Sequence, residues 1–72
     1  MRYAVIIERG ESSYGAYVSD LPGCVAVGDT PEEVRMLIQE AIEFHLEGLQ
    51  EDGEYIPQPN SSIEYIEAKI SA

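Results

Sequence analysis

The chain contains no tryptophan, one cysteine, one histidine and only four Lys plus Arg among its 72 residues. Each shortage closes a route. Cys24 alone cannot make an internal disulfide, and a solitary His45 is a poor start for a zinc site. Four cations against fourteen Asp plus Glu leave a formal charge of -10. Neutralising phosphates needs a basic surface, so direct nucleic acid binding by this chain is not expected. Long apolar runs are missing too. The opening stretch MRYAVIIERG reaches Glu8 after a short apolar segment, which excludes a signal peptide or membrane span there and points to the cytoplasm. No repeat, linker or low-complexity segment interrupts the chain.

What is present argues for a folded domain. Hydrophobic residues make up 44% of the chain and five are tyrosines, too much apolar surface for disorder despite the charge. Seventy-two residues allow a single domain, 1–72. A domain this small buries only about 60% of its unfolded surface, so its core is marginal. With no disulfide and no metal in prospect, oligomerisation or a tightly bound partner is the remaining support.

Hydrophobic spacing predicts five elements. Tyr3 to Glu8 reads as a strand that is apolar on both parities, and Arg9-Gly10-Glu11-Ser12-Ser13 as a turn. Tyr14 to Ser19 resumes as a second strand. Asp20-Leu21-Pro22-Gly23 breaks it, with Pro22-Gly23 suited to a type II turn. Cys24 to Gly28 forms a third strand, again apolar on both parities. Thr30 caps a helix, Pro31 occupies its first position and Glu33 completes a capping box. The stripe Val34, Leu37, Ile38, Ala41, Ile42, His45, Leu49 keeps the helical period until about Gly53. Tyr55 to Asn60 is an extended, proline-held connector. Ile63 to Ile70 reads as a fourth strand, with a slip at Tyr65-Ile66 that a bulge would explain. The fold class expected is α+β, a three-stranded antiparallel meander, one helix and a last strand. One helix covers one face of a sheet, so the second apolar face predicts an interface.

Several segments together resemble one family: Asp20-Leu21-Pro22-Gly23-Cys24, Val27-Gly28-Asp29-Thr30-Pro31-Glu32-Glu33, Glu40-Ala41-Ile42 and Ile56-Pro57-Gln58-Pro59. With the opening hairpin, they are similar to HicB antitoxins over essentially the whole chain. The resemblance implies a partial ribonuclease-H-like fold (β-β-β-α-β) with the last strand beside the first. It implies a type II toxin-antitoxin role, binding and inhibiting HicA, a small basic toxin that cuts messenger RNA with a histidine. Many members carry a C-terminal DNA-binding domain; this sequence departs from that pattern after its last strand.

Candidate chemistry is thin. Cys24 has no His, Lys or second Cys beside it in sequence, and is read as a small buried hydrophobe. Glu8, Asp20, Asp29 and Glu33 are the carboxylates a ribonuclease-H-like metal site would recruit, but each already has a strand-end, turn or cap role. His45 lies on the apolar stripe and is read as a packed core residue. No catalytic residue, metal site or cofactor is implied, and an enzyme is not expected. The helix acids carry more. Glu32, Glu33, Glu40, Glu43, Glu47 and Glu51 crowd one outward sector around Met36. Glu43 and Glu47 repel at i, i+4, and Glu47 and Glu51 oppose the helix dipole. A face arranged at local cost suits a basic partner, and Glu40, Glu43, Glu47 and Met36 are the candidate contact residues. The partners expected are a HicA-like toxin, which the resemblance implies, and a second copy of this chain, most simply in a homodimer. The alternative is an orphan homo-oligomeric module of the same fold with no toxin and no enzymatic activity.

Overall fold

Two tight turns fold the three apolar runs into a meander. In the computed structural model, which describes residues 1–71, β1 (Val5–Arg9), β2 (Tyr14–Val18) and β3 (Val25–Gly28) form one antiparallel sheet in that order. The β1–β2 register runs from Val5 opposite Val18 to Arg9 opposite Tyr14. The Gly10 N–H closes the first turn by donating to the Ser13 carbonyl at 2.8 Å. In the second turn the Cys24 N–H donates to the Leu21 carbonyl at 3.1 Å, and Gly23 has φ 82°. A type II turn requires that conformation at its third position, with Pro22 supplying the second. Leu21, read from sequence as a turn residue, is fully buried at 0% exposure.

Alternation along the strands gives the sheet two different faces. Val5 and Val18, with the row Ile7–Ala16–Ala26, share one; the rows Ile6–Tyr17–Val25 and Glu8–Gly15–Val27 share the other. Helix α1 (Pro31–Glu51) covers the first face, packing chiefly on β2 and β3. Ala16, Val18, Leu21, Cys24, Val34 and Ile38 form the buried core, with Val5, Ile42 and Leu46 among the half-buried residues against it.

The helix begins where the sequence signals place it. Thr30 is extended, and its Oγ1 accepts a hydrogen bond from the Glu33 N–H at 3.0 Å. The expected capping box is modified, because Glu33 Oε1 accepts from the Asp29 N–H at 2.8 Å, one residue before the cap. Gly28 makes this possible. A Cβ there would lie 3.0 Å from Glu33 Oε1 and 2.9 Å from the Val34 nitrogen, so the bare glycine lets the first helical turn sit against the end of β3. The helix closes with the Glu54 N–H donating to the Leu49 carbonyl and the Gly53 N–H to the Gln50 carbonyl, the paired bonds of a Schellman end.

The fourth strand expected over Ile63 to Ile70 is not formed within the chain. Residues 54–71 carry no ladder, and everything from Asn60 to Ser71 is exposed. A strand has no backbone bonds of its own and exists only beside an edge. Here the connector steers the segment away from one. The Tyr3 hydroxyl donates to the Pro57 carbonyl. Asp20 Oδ2 then accepts from the Asn60 and Ser61 N–H groups, and Oδ1 from the Ser61 hydroxyl, all at 2.9 Å. The chain thus crosses the end of the sheet from the β1 side to the β2 side and continues past it. The radius of gyration, 14.7 Å, exceeds the roughly 11 Å of a compact domain of this length. Without a strand beside β1, the architecture is α+β with three strands and one helix, and the ribonuclease-H-like completion is absent among the described residues.

Candidate protein-binding surfaces

On the outward side of α1, Met36, Glu40, Glu43 and Glu47 are all exposed, as their spacing predicts. Glu33 leaves this set, since its carboxylate is committed to the Asp29 N–H. Phe44 joins it. At 80% exposure it stands one helical turn beyond Glu40 and two beyond Met36, so a thioether lies among the acids and an aromatic beside them. The signal was in the sequence: Phe44 falls outside the apolar stripe, and an apolar residue off the stripe faces water. His45 is half-buried, and Leu46, missing from the predicted stripe, packs on the core.

A groove of about 580 Å³ runs between β1 and α1, because α1 sits over β2 and β3 and leaves the inner face of β1 uncovered. Tyr3, Val5 and Ile7 form one wall, and Ile38, Ile42 and Leu46 the other. Glu43 stands at its rim as well as on the acidic face. On the far face of the sheet, Tyr17, Val25 and Val27 are 42%, 62% and 66% exposed. The second apolar face expected from sequence is therefore present and open.

The remaining polar candidates have structural roles. Burial pushes the Cys24 thiol up from its ordinary pKa, which keeps it neutral and unreactive. The Ser61 N–H, then the Ser61 hydroxyl and the Asn60 N–H, hold the Asp20 carboxyl below its ordinary value. Asp20 is a clamp for the connector. Among the described residues no three His, Cys, Asp or Glu side chains gather as metal ligands, and no helix is long and apolar enough to cross a membrane.

The fold and these surfaces define a small acidic α+β protein whose open features are an acidic helix face, an apolar groove and an apolar sheet face, all of the kind that receive other proteins. Residues 3–71 match the family described as HicB_like antitoxin of bacterial toxin-antitoxin system, and the chain belongs to that family. It is 42% identical over 66 residues to an uncharacterized 14.9 kDa protein of Haemophilus phage HP1, covering 92% of this chain and 50% of the phage protein. It is 41% identical over 63 residues to a UPF0150 protein of Helicobacter pylori, covering 86% and 88% of the two chains. Antitoxin HicB 2 of Photorhabdus laumondii is 32% identical over 72 residues, covering 99% of this chain and 52% of its own. The chain thus spans about half the length of the phage and Photorhabdus relatives. No solved structure matches it.

Proposed function

We propose that this chain is the antitoxin of a type II pair that binds and blocks a small basic HicA-type mRNA-cleaving toxin in the cytoplasm. In this reading it is a stoichiometric inhibitor with no activity of its own. The observation that carries it is the exposed sector of α1, where Glu40, Glu43 and Glu47 stand together with Met36 and Phe44 unburied beside them. Complementary charge speeds encounter and sets orientation, while desolvated apolar anchors lengthen residence. Acids in the last turn, with no cation there to offset the dipole, are unfavourable for the helix alone. A basic partner offsets that cost.

The test is the association rate against ionic strength for the wild type and the Glu40→Lys/Glu43→Lys/Glu47→Lys variant, with a small basic HicA-type protein as partner. Three reversals of two units each take the formal charge from -10 to -4. Association slows in the variant and its salt dependence flattens. Equal rates and equal salt slopes would remove this face from the mechanism, and absence of any complex with wild type would overturn the proposal.

A further inference from the structure

Ile63 to Ile70 has the composition of a strand but pairs with no edge, and β1 is an edge without a neighbour on its outer side. In the segment, Ile66, Ala68 and Ile70 fall on one parity, and Ile63 and Tyr65 on the other. Tyr65, Ile66 and Ile70 are 95%, 85% and 92% exposed. Segments so apolar do not rest in water when an apolar surface is within reach.

The receiving edge is equally incomplete. Bonds from the Ser19 N–H to the Ala4 carbonyl and from the Gly10 N–H to the Ser13 carbonyl place the even-numbered residues of β1 in the bonded pairs with β2. Val5, Ile7 and Arg9 therefore turn their N–H and C=O groups outward, away from the sheet. Beneath that edge lies the groove walled by Val5, Ile7, Ile38 and Ile42. A strand added along β1 would roof it. Its inward side chains would enter the groove and its outward ones would extend the Ile6–Tyr17–Val25 row on the far face. Such a strand needs apolar residues on both parities, and 63–70 supplies Ile66, Ala68 and Ile70 on one and Ile63 and Tyr65 on the other. The periodicity slip at Tyr65-Ile66 then needs no bulge.

The chain's own segment is led elsewhere, by the Asp20 clamp on Asn60 and Ser61. We propose that the occupant is the same segment of a second copy: Ile63 to Ile70 of each chain pairs along β1 of the other and covers its groove, in a reciprocal two-fold exchange. The inference concerns this chain alone and is independent of toxin binding.

The experiment combines light-scattering mass with hydrogen exchange over a dilution series of the 72-residue chain, for wild type and two variants. Wild type is expected at twice the 8.0 kDa chain mass, with amides of 63–70 protected only where the dimer is populated. Ile66→Asp/Ile70→Asp changes residues exposed in the single chain, and is expected to give monomer that keeps the helical circular dichroism of α1 and loses only the strand signal of 63–70. Ile7→Pro removes an outward N–H without cutting the β1–β2 ladder, and is expected to give monomer from the receiving side. Wild-type monomer at hundreds of micromolar would overturn the proposal. So would a dimer that survives both variants, which would use a sheet or helix face, or protection of 63–70 in samples whose scattering mass is that of a single chain, which would mean closure on its own β1.

Discussion

At Gly28 a Cβ would lie 2.9 Å from the nitrogen and 3.1 Å from the Cα of Val34, backbone atoms that cannot swing aside as a side chain can. Gly28→Ala is therefore expected to destabilise the fold by about 1–3 kcal/mol, as overpacking does. Thr30→Ala, which removes the acceptor of the Glu33 N–H, is expected to cost about 0.5–2 kcal/mol. Gly23→Val places a β-branched residue at φ 82° and should cost at least as much as the lost cap. Urea unfolding of the three variants checks all of these, and unchanged midpoints would mean that the second turn and the helix start are held by something else. The Gly28 requirement could not be seen in sequence, where it ends an apolar run. It arises only because just two residues separate β3 from α1, which must turn back onto the sheet.

Among the elements, the connector and the helix carry separate expectations. Asp20 is an acid whose folded pKa lies below its ordinary value, so its bonds to Asn60 and Ser61 persist above the usual carboxylate range and are lost as pH falls through the depressed value. Exchange protection at the Asn60 and Ser61 amides, corrected for intrinsic rates, is expected to vanish in that acid range and to be missing at neutral pH in Asp20→Ala. Persistent protection in the variant would assign the connector's position to Tyr3 and the prolines. For α1, the Glu40→Lys/Glu43→Lys/Glu47→Lys variant should hold or slightly gain stability, because it relieves the repulsion of Glu43 with Glu47 and the dipole conflict at Glu47. A loss of stability would indicate that these acids have a structural role within the chain.

For the molecule as a whole, charge acts at long range. A formal charge of -10 is spread over a body whose second dimension is 28 Å. The screening length is about 30 Å at 0.01 M salt and about 10 Å at 0.1 M. At low salt each acid thus feels most of the others, and self-repulsion weakens the compact state. The melting temperature is expected to rise with NaCl over this range, and a flat response would mean that the acids are too well solvated to repel.

The sequence by itself determined whatever depends on neighbours along the chain. The two turns, the three strands, the Thr30 cap, the helix limits and the exposure of Glu40, Glu43, Glu47 and Met36 all follow from local backbone preference and from a period that sorts one face from another. Only the tertiary structure decided which apolar residues found cover. Leu21 looks like punctuation in the sequence and is buried because the turn folds under α1. Leu46 falls outside the stripe read from the sequence and packs against the core because of how α1 sits on the sheet. Ile63 to Ile70 has the composition of a strand, yet in the folded chain it pairs with no edge. Strand pairing joins residues far apart in sequence, and the direction in which Asp20 sends the connector is a property of the assembled sheet.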